Sequence, residues 1–272
     1  MSLPILKSAV HATPETLVRF FDQTELQWTR HTSEETQLDV GTAMHNAQLP
    51  RTYMANRMLD VALPPNVTPA QAMDEVAGHF AAQGVPCWQW VMNPSALSER
   101  TLPMIEFLRA QGYREKPTDI MHLPHLPGRP IEGTAGAGLT IIPARASFRH
   151  ARTLFDESAR RWNTPELAEA SMMHLDDPHF DALLALKDGA PVANVGVLAM
   201  GEVGLIEQVF VTETKRRQGI ATVMMGRALE ICARSLFKHI LLGVAPDNLP
   251  AIHLYDKFGF RKIGQLIAYL KT

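Results

Sequence analysis

QVFVTETKRRQGIAT, residues 208–222, joins an apolar strand to the start of a long helix, and this joint decides the predicted fold. The first turn of a helix has unpaired N–H groups and carries the positive end of the helix dipole. Gly219 lets the backbone approach an anion, small Ala221 avoids a clash, and Arg216 and Arg217 add positive charge. The stretch therefore predicts a phosphate-binding loop, with an ordinary basic strand-to-helix turn as the alternative.

The loop differs from the common nucleotide-binding fingerprints. The chain contains no Gly-Lys-Ser/Thr sequence, so the loop is not of the Walker type, and it does not read GxGxxG. The motifs GxSxG and HExxH are also absent from the sequence, which leaves serine hydrolases of the nucleophile-elbow type and zinc proteases without support.

The residues around the loop predict a mixed sheet covered by helices. Helical spacing is expected at 148–159 and 165–174, and Asp188-Gly189 predicts a hairpin between strands 181–187 and 191–198. The full predicted order of the second half is α-α-β-β-β-α-β-α-β.

A proline- and glycine-rich segment divides the chain. Seven of the fifteen residues from Pro124 to Gly138 are proline or glycine, which is typical of a linker between packed units. The length of 272 residues is also nearer to two domains than to one. We therefore expect a domain at 1–124, a linker at 125–138 and a second domain at 139–272.

The two halves end alike, which indicates a diverged internal duplication. IEFLRAQGYR ends at Arg114, IHLYDKFGFR ends at Arg261, and the offset is 261 − 114 = 147 residues. The first half has PPNVTP at 64–69 where the second has its glycine loop, and it has Leu108 in the position of Tyr255. Proline supplies no N–H donor for a phosphate. One active site per chain, in the second half, is the expectation.

The composition is that of a globular protein in a reducing compartment. Hydrophobic residues make up 46% and charged residues 20%, and the net charge is −2. This balance gives no sign of nucleic acid or of an anionic membrane as partner. The two cysteines form no disulfide framework, and we find neither a membrane-spanning run nor a signal peptide, so a cytoplasmic protein is expected.

Two motifs together resemble the GNAT superfamily of acyl-CoA-dependent N-acyltransferases. Residues 208–222 are similar to that family's strand, pyrophosphate loop and helix, and NLPAIHLYDKFGF at 248–260 is similar to its closing motif. The resemblance covers about 139–272, and the first half resembles a degenerate copy, as in tandem members of the family. Ala221 departs from the family's commoner glycine.

The resemblance implies the fold class and the cosubstrate. It implies an α/β fold (an α+β mixed sheet) with two GNAT-like domains, each having a mixed, mostly antiparallel sheet flanked by helices. It also implies acetyl-CoA as cosubstrate and no metal. The residues that it places at the coenzyme are Val209, Phe210, Val211, Arg216, Arg217, Gln218, Gly219, Ile220, Ala221, Thr222 and Asn248.

Within that set, the resemblance implies distinct roles. Backbone groups of Val209 and Val211 would pair with the pantetheine arm as a strand edge pairs with an added strand. N–H groups of 217–222 would hold the pyrophosphate, and Asn248 would touch the pantetheine or phosphate region. Tyr255 would protonate the leaving thiolate; a tyrosine that only positions the thiol, or a core aromatic, are the alternatives.

The general base is the least constrained assignment. An amine is mostly protonated at neutral pH and needs a proton acceptor before it attacks a thioester. Glu207 has the strand parity of Val209 and Val211, and we weigh it equally as the base and as a solvent-facing charge. Asn194 in the preceding strand is a candidate for the acceptor pocket.

We therefore expect an N-acetyltransferase that moves the acetyl group of acetyl-CoA to an amine by direct transfer in a ternary complex. The acceptor would be a small molecule or a peptide, the first domain would shape the acceptor cleft, and a homodimer is possible. Nucleic acid and membrane are not expected as partners. The rival hypothesis is a non-catalytic acyl-CoA-binding or structural module.

Two other groups of residues carry weaker signals. HLDDPH at 174–179 contains metal-ligand residue types but lacks a second ligand group at a recognised spacing, so a helix exit is favoured. Trp88 and Trp90 alternate along a strand and are expected in the core rather than on a ligand.

Overall fold

The computed structural model describes residues 12–96, 98–126, 138–161, 164 and 166–271. Within these ranges the chain forms seven α-helices and eleven β-strands. The helices are α1 (Pro14–Thr32), α2 (Pro69–Ala82), α3 (Ser98–Ala110), α4 (Phe148–Arg161), α5 (Leu167–Met173), α6 (Ile220–Arg234) and α7 (Leu249–Phe258). The strands are β1 (Glu34–Leu38), β2 (Gly41–His45), β3 (Arg57–Val61), β4 (Gln89–Met92), β5 (Arg114–Leu123), β6 (Leu139–Pro143), β7 (Phe180–Lys187), β8 (Ala190–Met200), β9 (Val203–Val211), β10 (His239–Val244) and β11 (Arg261–Leu270).

The predicted order of the second half is confirmed, with one strand missed. The hairpin at Asp188-Gly189, the long helix after Gly219 and the closing strand all form as expected. The missed strand is β6, which pairs antiparallel with β7 at the edge of the sheet. Its five residues directly follow the glycine-rich segment, and so short an apolar run carries little periodic signal.

All eleven strands belong to one sheet, so the expectation of a separate sheet in each half is wrong. The strand order is β1-β2-β3-β4-β11-β5-β10-β9-β8-β7-β6. The last strand of each half pairs with strands of the other half: β5 lies between β10 and β11, and β11 lies between β4 and β5. The coarser expectation, an α/β fold with a mixed sheet, is confirmed.

The exchanged strands follow the offset found in the sequence. Adding 147 to the bounds of β5 gives the bounds of β11. The two strands run antiparallel to each other, from Arg114 opposite Leu270 to His122 opposite Arg261. Such a pairing places two equivalent strands around a local two-fold axis, as the duplication hypothesis requires. The boundaries at 124 and 139 stay a prediction, because 127–137 lie outside the described residues.

Helices cover both faces of the sheet, and one helix of the first half crosses to the second. α1 packs against β8, β9 and β10 of the second half as well as against β5 and β11. On that face the core also includes apolar residues of α4 and α5, whereas α6 and α7 cover the opposite face. Trp90 is fully buried, as expected, in a cluster that also contains Tyr269 of β11, whereas Trp88 is only partly buried. No helix in the described ranges is long and apolar enough to cross a bilayer.

Candidate active site

The central feature of the site is a bulge in β9. Asn194 of β8 pairs with Phe210, but Gly196 pairs with Glu207, so β9 has one extra residue between these pairs. Gln208, at φ 53°, takes up the left-handed conformation that the bulge requires. A bulge reverses the inward and outward alternation of side chains along a strand.

The bulge corrects the parity assigned to Glu207. Val209 and Val211 pack towards the core under α6, whereas Phe210 packs towards α1, α4 and α5. Glu207 shares the face of Phe210, because their β8 partners, Gly196 and Asn194, lie two residues apart. The candidate base therefore points to the opposite face from Val209 and Val211.

Beyond the bulge, β9 and β10 separate. They pair in parallel only as far as Ile206 and Leu242, after which β10 continues to Val244 beside β5 instead. Within the described residues, the backbone of 207–211 consequently presents an unpaired strand edge to the space between β9 and β10. Such an edge accepts an extended chain that carries amide groups.

Asn194 fixes the bulge. Its Nδ2 donates to the carbonyl oxygen of Gln208 at 2.5 Å, and the residue is buried. Asn194 Oδ1 and Gln208 Oε1 are both buried without a hydrogen-bond partner in the described part of the chain. Asn194 therefore positions the strand edge, and it also lines the cavity that the sequence suggested for it.

The predicted phosphate loop forms a concave set of N–H groups. Arg217 and Gly219 both have left-handed backbones, at φ 63° and φ 79°, and no side chain caps the start of α6. The first backbone bond at this end runs from Val223 N to Gly219 O at 3.2 Å, which leaves the N–H groups of 220–222 directed outwards. Arg216 Nε donates to Val211 O at 3.2 Å and holds the loop against the end of β9. This geometry suits an anion.

One loop residue, Gln218, points away from the cavity. It contacts a basic residue, Lys187, that the sequence did not assign to the site. Gln218 does not line the cavity; its Oε1 accepts from Lys187 Nζ at 3.2 Å. Lys187 is the last residue of β7, directly before the predicted Asp188-Gly189 turn. The turn signal therefore predicted where Lys187 lies in the hairpin, but it could not predict its contact with Gln218.

Two residues of the closing motif complete the cleft. Asn248 lies exposed at the start of α7, with its backbone N–H bonded to Ala245 O at 3.0 Å. Tyr255, about two helical turns further along α7, is only 5% exposed, and its hydroxyl has no hydrogen-bond partner in the described ranges. Burial raises the pKa of Tyr255, and the nearby Glu207 raises it further. Tyr255 is therefore a proton carrier rather than a phenolate at neutral pH.

These residues line one cavity of about 860 Å³. Every residue that the sequence assigned to the coenzyme or to catalysis, except Gln218, contributes to its wall. Burial and the proximity of Glu25 raise the pKa of Glu207 to about 8, although Arg57 opposes the shift. A carboxyl group with that pKa can both accept and release a proton near neutrality.

The far end of the cavity is built partly by the first half of the chain. Trp28 and Thr32 of α1 line it, together with Thr52, Met54 and Ala55 from the segment before β3. His174, from the HLDDPH segment that the sequence did not favour as a metal site, lies there stacked on Trp28 with ring centroids 3.4 Å apart. Within the described residues no three His, Cys, Asp or Glu side chains are arranged to hold a metal ion.

The comparison with protein families covers this cleft. A family described as "Acetyltransferase (GNAT) family" matches residues 148–260, which include the bulge, the phosphate loop and Tyr255. The half of the chain that carries the cleft belongs to the GNAT acetyltransferase family.

Solved structures share the fold of this chain over most of its length. A functionally unknown conserved protein from Staphylococcus epidermidis has a TM-score of 0.62 at 15% identity, covering 88% of this chain and 94% of its own. A GCN5-related N-acetyltransferase from Kribbella flavida has a TM-score of 0.61 at 16% identity, covering 97% and 96%. A tandem GNAT protein from the clavulanic acid biosynthesis pathway has a TM-score of 0.51 at 17% identity, covering 79% and 73%. No curated protein matches the chain.

In the described residues of the first half, no counterpart of this cleft is open. There the corresponding strands stay together: Val61 pairs with Met92, and Asn93 N donates to Val61 O at 2.9 Å. Beyond them, Leu63 N donates to Arg100 O at 2.8 Å, and Arg100 Nε donates to Leu63 O at 3.0 Å. α3 therefore closes the space that is open between β9 and β10.

The N-terminus of α2 is closed as well. Thr68 and Gln71 form reciprocal hydrogen bonds between their side chains and backbones, with Pro69 at the first helical position. Of the N–H groups that would face a phosphate, that of Pro69 is missing and that of Gln71 is satisfied by Thr68. Both observations support the expectation of a single coenzyme site per chain.

Proposed function

We propose that this protein is an acetyl-CoA-dependent N-acetyltransferase, which transfers acetyl directly to the amine of a small molecule or peptide in a ternary complex. One observation carries the proposal: a single cavity contains the unpaired edge of β9, the anion-binding start of α6, Tyr255 and Glu207. The fold neighbours and the family match support the coarser statement, a GNAT acetyltransferase.

The residues present fit the coenzyme in three places. The N–H groups at the start of α6 would take the pyrophosphate, with Arg216 and Arg217 adjacent. The backbone of 207–211 would pair with the two amides of the pantetheine arm, and Asn248 lies at the mouth between these two regions. The thioester would then lie near the bulge, between Glu207 and Tyr255.

The chemistry that this arrangement supports is a balanced transfer. The ammonium group of the acceptor gives a proton to the Glu207 carboxylate, and the amine nitrogen attacks the thioester carbonyl. A C–N bond forms, the C–S bond breaks, the departing thiolate takes the proton of Tyr255, and the second proton lost by the nitrogen restores the Tyr255 hydroxyl. Each turnover releases one proton to solvent, after which Glu207 and Tyr255 return to their starting states.

The test combines binding with turnover. Calorimetric titration with acetyl-CoA measures binding, and release of free thiol over a panel of primary amines measures transfer, with acetyl-CoA alone as the control for hydrolysis. We expect binding and amine-dependent thiol release. Binding with no thiol release from any amine would favour the non-catalytic module, and no binding at all would overturn both functions.

A further inference from the structure

A second cavity lies on the other side of Glu207. It has a volume of about 220 Å³ and shares Met54 and Glu207 with the main cavity. Its remaining wall comes from both halves and includes Glu25 and Arg57 of the first half and Gly243 of β10. Because Gly243 and Glu207 flank the point where β9 leaves β10, this space opens at the place where the thioester would lie.

One stripe of α1 covers both cavities. Phe21 and Glu25 line the small cavity, and Trp28 and Thr32 line the main one. The spacing of 4, 3 and 4 residues places these four side chains on one helical face. The two cavities therefore meet at Glu207 beneath one face of α1, and Glu25 lies on the part of that face that covers the small cavity.

The buried charges at this point do not balance, since the other cation of the cavity wall, Lys116, is exposed and bonded to Tyr53. Arg57, with a side chain only 4% exposed, is held by Glu25 Oε2 at 3.2 Å, by Gln89 Oε1 at 3.4 Å and by Thr29 Oγ1. Two carboxylates, those of Glu25 and Glu207, thus face a single buried cation. When both carboxylates are ionised, the site lacks one positive charge, and leaving a carboxylate uncompensated in such a place is costly.

We propose that Glu25, from the half of the chain that lacks a coenzyme site, joins Glu207 in binding the acceptor's ammonium group. This inference rests on the proposed function and extends it to the class of acceptor. The ammonium supplies the missing charge, is held between the two carboxylates, and is oriented towards the thioester.

The surroundings restrict the acceptor to a compact amine with one positive charge. A cavity of about 220 Å³ has room for roughly seven non-hydrogen groups at about 30 Å³ each. Lys116 stands at its wall, donates to Tyr53 Oη at 2.6 Å, and would repel a second ammonium group. The Nε of Arg57 is buried without a hydrogen-bond partner in the described residues, and it suits an uncharged or anionic substituent.

The experiment compares Glu25→Gln with Glu75→Gln, which removes the same charge from an exposed position on α2 of the same half. Using the best monoamine of the panel, we expect Glu25→Gln to raise the acceptor KM at least tenfold and to leave the acetyl-CoA KM unchanged. The acidic limb of kcat/KM should also move to lower pH, because the Glu25 charge raises the pKa of Glu207 against the opposing charge of Arg57. The other ionisable groups near Glu207, Lys116 and Tyr53 of the small cavity and Tyr255 of the main one, are unaltered. An acceptor KM and pH limb like those of Glu75→Gln would overturn the proposal.

A double variant separates binding from a structural role. Glu25→Gln/Arg57→Gln removes both members of the buried ion pair, so the fold no longer contains an unpaired arginine. If Glu25 serves only to pair with Arg57, the double variant regains the wild-type acceptor KM, which contradicts the proposal. We expect the KM to stay high.

A readout without turnover distinguishes failure of this inference from failure of the proposed function. n-Butylammonium chloride should raise the Tm of the wild type more than n-butanol does, and this difference should disappear in Glu25→Gln but not in Glu75→Gln. Equal effects of the amine and the alcohol on the wild type would overturn the inference even if acetyl transfer is established.

Discussion

Replacing Glu207 by glutamine tests the chemistry and the electrostatics of the site together. The substitution keeps the shape of the side chain and removes its charge. We expect acetyl-CoA binding to stay within twofold of the wild type, because the coenzyme contacts are assigned to the backbone of β9 and to α6. Loss of a positioned general base typically lowers kcat by about 10²- to 10⁴-fold, and we expect a decrease in that range.

The same variant should alter how stability depends on pH. The pKa of Glu207 is raised from 4.5 to about 8 in the folded protein. Between these values the folded state holds a proton that the unfolded state has released, so the free energy of unfolding falls as the pH rises through this window. At ~1.4 kcal/mol per pH unit, the upper limit of the loss is about 5 kcal/mol. Water in the open cavity reduces this penalty, and we expect about 2 kcal/mol.

Urea unfolding at pH 5, 7 and 9 measures this effect. The wild type and Glu207→Gln should have similar free energies of unfolding at pH 5, and the variant should be the more stable protein at pH 9. Asp22, whose pKa is raised to about 7 mainly by burial, is present in both proteins and cancels in the difference. Parallel pH profiles of the two proteins would show that Glu207 is solvated like a surface acid, and an unchanged kcat would remove it as the base.

Further predictions concern protonation of the leaving thiolate, the phosphate site, and the packing and pairing of the sheet. Tyr255→Phe should lower kcat at least tenfold with the acetyl-CoA Kd unchanged, and full activity by thiol release would remove it as the acid. Gly219→Trp should abolish acetyl-CoA binding in calorimetry, because a large side chain at φ 79° meets the anion site; retained binding would contradict that location. Gly196→Ala should destabilise the protein to urea by about 1–3 kcal/mol, since its Cβ would lie 2.1 Å from Phe180 Cζ, and an unchanged midpoint would refute the close packing. Cleavage within 127–137 should leave the two pieces associated in size-exclusion chromatography, because β5 and β11 cross between them; separate elution would show that this pairing is weak.

Local signals in the sequence were sufficient for the coenzyme side of the cleft. The unpaired N–H groups at the start of α6 follow from the glycine at its N-terminus and from the position of the strand before it. Tyr255 follows from the resemblance of residues 248–260 to the family's closing motif, in which it lies four residues before the helix-ending Gly259. In both cases the residues that form the feature are close in sequence, so the pattern and the geometry coincide.

The bulge could not be read from the sequence, and it caused the error about Glu207. An alternating pattern assigns one face to residues 207, 209 and 211, whereas an inserted residue reverses the faces after it. The residue at the bulge, Gln208 at φ 53°, does not predict it, because a left-handed conformation is indicated in sequence mainly by glycine or asparagine.

The shared sheet and the acceptor channel depend on contacts between distant residues. The pairing of β5 with β10 and β11 follows no local rule, since each half has a complete set of strands that could have closed on itself. Glu25 and Trp28 reach the site only because α1 crosses to the second half. Their spacing identifies one helix face but does not say which cavity that face covers.

The way in which β10 is held determines how ligands enter. Where β10 separates from β9, its other edge stays paired with β5, with Leu242 opposite Met121 and Val244 opposite Asp119. Because β10 is held on that side by β5, we expect the cleft to keep its width when a ligand arrives. Affinity for the coenzyme then depends little on reorganising the protein, and the entropy lost on binding falls mainly on the flexible ligand. The paired strands around the cleft set the size limit for the acceptor. Admitting a larger acceptor therefore requires smaller side chains along α1 rather than a more flexible linker between the halves.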